Sequence, residues 1–218
     1  MKKHYIQLPR DHISYSQVSL FKSDPKRYAE LYFNNDKSFA LNNSGLSYGK
    51  VFAESLEHEV ETGDLLTDAA LLLIPKMDTR DKEIAVEVKT SSGWLKIIGR
   101  PDMLDSVTKN FLEIKTGKGK WTQSKANKHS QLIFYAMLVY LKWKVVLNET
   151  TLVWVETTDV IEPHSPSDWL PEDRKVIKPT GKVETFKVEF TLKDILMCLA
   201  ETVRIAKAIE LEFVAYVK

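Results

Sequence analysis

One cysteine, Cys198, stands among 218 residues. A single thiol excludes a disulfide within the chain, and it excludes any zinc or iron–sulfur site built from several cysteines of one copy. Long apolar runs are missing as well. None approaches the roughly 18–20 residues that span a bilayer, so neither a membrane-spanning helix nor a membrane partner is expected. The opening MKKHYIQLPRDH has two lysines and no apolar stretch behind them, so no secretory leader is expected. These absences point to an intracellular, cytoplasmic protein. A large charge excess is also lacking: the net charge is +1, and the overall balance gives no sign of a nucleic-acid partner.

The most informative absence is local. The chain has 30 acidic residues, yet none lies between Ile114 and Asn148. That window carries Lys115, Lys118, Lys120, Lys125, Lys128, Lys142 and Lys144. Upstream, Glu54, Glu57, Glu59, Glu61, Asp64 and Asp68 crowd one segment. A nearly neutral chain can thus hold a positive field beside an acidic cluster.

The length suits a single domain spanning 1–218, with N-terminal helices at about 14–75 and a C-terminal strand–helix elaboration at about 183–218. Ser14 or Ser16 is expected to cap a short helix over SQVSLFKS, and Pro25 to restart a second over KRYAELYF. NNDKSFALNNSG reads as a loop. An amphipathic helix is expected from Leu46 to about Glu61, then a further one over LLTDAALLLI. EIAVEVKT alternates with period two, turns at Ser91-Ser92-Gly93 and returns as WLKIIGR, a strand pair. PDMLD and NFLEIKT form the next pair around SVTK. A long helix is expected over 125–142, a strand over TTLVWVETT, an exposed loop over IEPHSPSDWLPEDRKVIKPTGK, a strand over VETFKVEF, and a Thr191-capped helix to about Leu211. This order predicts an α/β protein with a central mixed sheet flanked by helices.

One constellation carries chemistry. Side chains alternate along a strand, so Glu113 and Lys115 share a face and Ile114 points the other way. Asp102 and Glu113 are equidistant from a turn centred between Val107 and Thr108, which places them opposite each other. Opposed carboxylates destabilise a strand pair by up to ~1 kcal/mol. A divalent cation between them reverses the sign, and hard ions such as Mg²⁺ take carboxylate oxygens, waters and phosphate. Lys115 beside such an ion would hold the attacking water or neutralise charge developing on a phosphoryl group.

These residues resemble the PD-(D/E)XK nuclease superfamily, in its RecB-type branch, which includes the CRISPR-adaptation exonuclease and is related to lambda exonuclease. That branch carries the approximate patterns G-x-x-x-H-x-x-L-E, G-R-x-D, E-x-K-T and Q-x-x-x-Y. Here they correspond to GKVFAESLE from Gly49 to Glu57, GRPD from Gly99 to Asp102, EIKT from Glu113 to Thr116 and QLIFY from Gln131 to Tyr135. YSQVSLFKSDPKRYAELYF resembles the branch's N-terminal helices. The resemblance covers roughly 14–155 in the same order.

The resemblance implies a restriction-endonuclease-like core and a Mg²⁺- or Mn²⁺-dependent deoxyribonuclease, expected to be an exonuclease of recombination, repair or mobile-element DNA processing. Asp102, Glu113 and the Ile114 carbonyl would be metal ligands and Lys115 the catalytic lysine. Gln131 and Tyr135, one turn apart on a helix, would hold active-site groups or a DNA phosphate. Arg100, Lys118, Lys120, Trp121, Lys125, Lys128 and His129 would contact DNA, with Trp121 either stacking a base or packing on the sheet edge. The chain departs from the pattern twice. The histidine of the first motif is Ala53; on a helix with Phe52, Ala53, Leu56 and Val60 buried, Glu57 lies one turn on, near the edge of the buried face, and is the first choice as replacement ligand, with Glu54 second. The cysteine that begins the iron–sulfur site of some relatives is Asp24, so no such cluster is expected. A homo-oligomer or a recombination or repair partner protein is compatible with the sequence. Two other readings stand beside the nuclease: a DNA-binding or assembly subunit that kept the fold, and a carboxylate-pair glycosidase, which the lysine-rich window disfavours.

Overall fold

The computed structural model of the chain describes residues 3–36, 49, 52, 54–55, 61–80, 83–162 and 174–217. Strands β1 (Ile13–Ser14), β3 (Ile84–Lys89) and β4 (Trp94–Gly99) form one sheet in the order β1-β4-β3. Strands β2 (Thr79–Arg80), β5 (Met103–Leu104), β6 (Phe111–Gly117), β7 (Glu149–Glu162) and β8 (Arg174–Glu189) form a second in the order β2-β5-β6-β7-β8. The chain crosses between sheets at Arg100-Pro101-Asp102. Helices are α1 (Tyr15–Ser23), α2 (Pro25–Tyr32), α3 (Leu65–Leu72), α4 (Gln123–Asn127), α5 (Ser130–Trp143) and α6 (Leu192–Tyr216). The result is the mixed α/β architecture expected, with sheets flanked by helices.

Local signals account for most boundaries. Ser14 precedes α1, although its hydroxyl meets Ser16 Oγ and caps no backbone group. Asp24 caps α2 by accepting from Arg27 N, with Pro25 in the first turn where a missing N–H costs nothing. A reciprocal capping box between Thr191 and Asp194 starts α6, which runs a turn beyond the expected end to Tyr216.

Two expectations are corrected. The long helix over 125–142 is two helices, α4 and α5, separated at Lys128 and His129; His129 is extended at φ −77°, ψ 96°. No proline or glycine marks the break. Tertiary packing sets it, because the His129 ring lies edge-on to Trp121 at 5.5 Å. The loop expected from Ile161 to Lys182 is strand where it is described: β7 runs to Glu162, and β8 begins at Arg174 and includes Pro179. β8 is the sheet's edge strand, where proline is tolerated. Glu156 alone faces residues 180–182, a bulge that Gly181 accommodates at φ +84°.

The two faces of β6 pack differently. Leu112 joins Phe52, Ala70, Ile74, Met103, Val153 and Val155 in a dry cluster, with Ile114 against it. Phe111 joins the larger core with Leu104, Leu152, Trp154 and the apolar side of α5. Gly49, Phe52, Glu54 and Ser55 are helical, as expected for that segment; Phe52 is buried as expected, and a Cβ on Gly49 would lie 3.3 Å from Thr116 Oγ1. Ala53, Leu56, Glu57 and Val60 lie outside the described residues.

Candidate active site

The hairpin of β5 and β6 sets the register of the site. Met103 pairs with Leu112 and Leu104 with Phe111, and Asp105 N donates to Asn110 O across the turn. Carried one step outward this register would bring Asp102 to Glu113, although Asp102 itself lies just outside β5. Asp105 Oδ1 accepts from Val107 N and Thr108 N and so fixes the turn. Asp102 Oδ2 in turn accepts from Ile114 N at 2.6 Å, tying the GRPD segment to the middle of EIKT.

Glu113 is 2% exposed. Its Oε1 accepts from Lys115 Nζ at 2.6 Å, and its Oε2 has no partner. Burial first, then the Asp102 carboxylate, push the Glu113 carboxyl up to about 8, against the pull of Lys115. A buried carboxylate oxygen without a donor is costly, and a cation would offset that cost.

Helix α5 clamps the same segment from above. Tyr135 Oη donates to Arg100 O at 2.9 Å and accepts from Gln131 Nε2 at 2.8 Å. Burial and the Glu113 carboxylate hold its phenol above the usual range, so it stays a donor. The approach is close: a Cβ on Gly99 would sit 2.5 Å from Leu138 Cδ1 and 2.8 Å from Tyr135 Cε1. Glycine at 99 therefore lets the helix reach the strand end, and Tyr135 then holds the backbone that carries Asp102.

A third wall comes from β7. Trp154 is the register partner of Lys115 across the parallel β6–β7 pair, and a Cβ on Gly117 would lie 2.8 Å from its ring. Trp121 stacks on Trp154 with centroids 5.3 Å apart, and Lys125 Nζ lies 4.4 Å over Trp121. Trp121 thus packs on the sheet, one of its two expected roles. Sequence reading missed Trp154; its place beside Lys115 follows only from the parallel pairing of β6 and β7.

The other expected residues are distributed around this centre. Lys118 is paired with Asp159, which also holds Lys175, and Arg100 is paired with Glu83. Lys120, Lys125 and Lys128 are exposed at the end of β6 and on α4. His129, expected to contact DNA, is half-buried, and its buried Nε2 has no partner. Burial and then Lys115 push its ring down to about 4. Glu54 is exposed. Among the described residues, no three His, Cys, Asp or Glu side chains gather as a metal-binding group. Cys198 is half-buried on α6, and burial pushes its thiol up to about 11. No described helix is long and apolar enough to cross a membrane.

The sequence profile of the PD-(D/E)XK nuclease superfamily matches residues 50–186, well over half of the chain and inclusive of every group in the described centre. The chain belongs to this superfamily. The protein is therefore a nuclease by family. No curated protein matches the chain. Among the solved structures similar to it are the following two. One is a phage-related exonuclease from Haemophilus somnus 129PT, with 13% identity and a TM-score of 0.48 over 90% of this chain and 83% of that one. The other is the protein SSO0001, with 12% identity and a TM-score of 0.39 over 89% of this chain and 76% of that one.

Proposed function

We propose that this nuclease is a Mg²⁺- or Mn²⁺-dependent deoxyribonuclease, and an exonuclease of the RecB-type branch. One observation carries the reading: the unpartnered Glu113 Oε2 is buried beside Lys115, with the Asp102 carboxylate bonded to Ile114 N, which lies between them in sequence. Hard oxygen donors of this kind fit a small divalent cation. Asp102, Glu113 and the Ile114 carbonyl would hold it, with one further acid supplied by the motif at 49–57, Glu57 before Glu54. Such an ion would supply Lewis-acid stabilisation of charge on the phosphoryl oxygens and the leaving oxygen.

The chain's own groups do the rest. Lys115, an ammonium with three donors, has one directed to Glu113 and others for a water or a phosphate oxygen. Tyr135 and Gln131 keep the Arg100–Asp102 backbone in place. Lys120, Lys125 and Lys128, with Lys118 and Arg100 once released from their carboxylate partners, would track the DNA backbone. The order of the four motifs supports the RecB-type branch, and the exonuclease reading rests on that branch, as does a role in recombination, repair or mobile-element DNA processing, in the cytoplasm, alone or with a partner protein or further copies of the chain.

The test is cleavage of end-labelled linear and of circular DNA, single- and double-stranded, with Mg²⁺, Mn²⁺ or EDTA. Metal-dependent loss of linear substrate with circular substrate intact is expected. DNA binding with no cleavage under either metal would replace this reading with that of an assembly subunit, for which Ala53 gives a reason.

A further inference from the structure

The window from Ile114 to Asn148 offers its lysines no carboxylate from their own stretch. Several lysines around the centre find one elsewhere. Lys118 and Lys175 share Asp159, Lys182 pairs with Glu184, and Lys187 with Glu149. Lys125 is exposed and has no carboxylate partner among the described residues. What faces its ammonium is aromatic. Lys125 Nζ lies 4.4 Å from the centroid of Trp121 and 5.8 Å from that of Trp154, and the two rings stack 5.3 Å apart at 28°. Three such short lengths put the ammonium in the notch the two indoles share, because a cation on the outer face of Trp121 would lie farther from Trp154.

Several elements build this notch. Trp154 is the register partner of Lys115, and such partners point to the same face of the sheet. Gly117 has no side chain to oppose the Trp154 ring, since a Cβ there would lie 2.8 Å from Cη2. The ring therefore leans over β6 two residues beyond Lys115. His129 meets Trp121 edge-on at 5.5 Å. On α4, Lys125 N donates to the capping Thr122, Ala126 is buried in the core, and Gln123 Nε2 donates to Lys187 O at 2.6 Å. The backbone and the ammonium of Lys125 are thus both held before a ligand arrives. An indole face attracts a cation through its quadrupole yet carries no net charge. A lysine paired with a carboxylate must give up that partner to meet another anion, and an unrestrained lysine must be ordered. Lys125 is fixed with its charge uncancelled.

We propose that Lys125 is a preset contact for a backbone phosphate of the strand that passes Lys115, and that Trp121 is a positioning residue acting through Lys125 rather than a platform for a base. That the polyanion is DNA rests on the nuclease reading above. Phosphate contacts carry no sequence information and release counterions, so the loss of one is read in the salt dependence of binding.

The test is binding of the full chain, in EDTA and across salt concentrations, to a single-stranded oligonucleotide and to an abasic strand of the same length. Lys125→Gln is expected to weaken binding about fivefold near about 0.1 M salt and to flatten the slope of log K against log salt by about 0.7, the loss of one contact on a single strand. Lys125→Arg keeps a cation that stacks on indole and should keep the slope. Trp121→Ala should match Lys125→Gln on both strands, and the double variant should lose no more than either single one. Trp121→Phe retains a ring with a weaker hold on the cation and should fall between wild type and Lys125→Gln, which keeps the test open if Trp121→Ala does not fold. An unchanged slope in Lys125→Gln, additive losses in the double variant, or a Trp121→Ala loss confined to the strand that has bases would overturn the proposal. Cleavage plays no part in this readout. A flattened slope in a protein that cuts nothing would uphold the contact and remove the proposed metal-dependent cleavage; an unchanged slope in a protein that cuts DNA would do the opposite.

Discussion

The two faces of β6 follow different rules. On one, Leu112 and Ile114 meet Phe52, Met103, Val153 and Val155, and the face is apolar and closed. On the other, Phe111 seals the inner end, but Glu113 and Lys115 come next, with unpartnered polar atoms of Glu113, His129 and Trp154 around them. Burial stabilises the first face by removing apolar area from water. The second lacks that justification, since buried polar atoms without partners are destabilising. Polar groups at such a place are explained by what binds there. Under the proposed function, the contrast separates a face that holds the fold from a face that would do the chemistry, along a single strand.

Substitutions on either face should test that separation. The largest effect expected is Lys115→Ala, with a cleavage rate reduced about 10²- to 10³-fold or more, some 3–4 kcal/mol of transition-state stabilisation. Leu112→Ala on the dry face should do the reverse, costing about 2–5 kcal/mol in urea unfolding while the folded fraction cleaves at the wild-type rate. Glu113 gives the sharpest pH test. Its folded carboxyl lies at about 8, above its unfolded value, so it adds stability at low pH that is lost as pH rises toward 8. Metal-free protein should lose up to roughly 1.4 kcal/mol per pH unit across that window. Glu113→Gln should flatten the slope, and metal binding to wild type should release a proton, tightening as pH rises. The smallest effect is expected from Tyr135→Phe, which removes the donor to Arg100 O; about a tenfold loss of kcat and about 1–2 kcal/mol of stability should follow.

The legible parts of this protein were those set by local rules. Symmetry about Val107 and Thr108 predicts Met103 opposite Leu112 and Leu104 opposite Phe111, one step inside Asp102 and Glu113, and the hairpin has those two pairs. The Gln131–Tyr135 spacing on one helix turn appears as a direct hydrogen bond. What the sequence hid depends on packing between distant segments. The break before α5 has no glycine or proline, and arises where His129 meets Trp121 and Trp121 meets Trp154. Trp154 lies beside Lys115 only because β7 runs parallel to β6, which no short stretch declares. β8 begins at Arg174 because an edge strand admits Pro179 and a Gly181 bulge. The replacement for the histidine at Ala53 rests on helical spacing alone, with Glu57 outside the described residues.

The central claim is that the polar face of β6 is a site for a metal ion and a phosphate, and the apolar face is not. The most direct measurement is the initial rate of Mg²⁺-dependent cleavage of linear DNA by wild type, Lys115→Ala and Leu112→Ala, at a temperature where all three are folded. The account predicts loss of cleavage in Lys115→Ala and a near wild-type rate in Leu112→Ala. Equal rates in Lys115→Ala and wild type would contradict it.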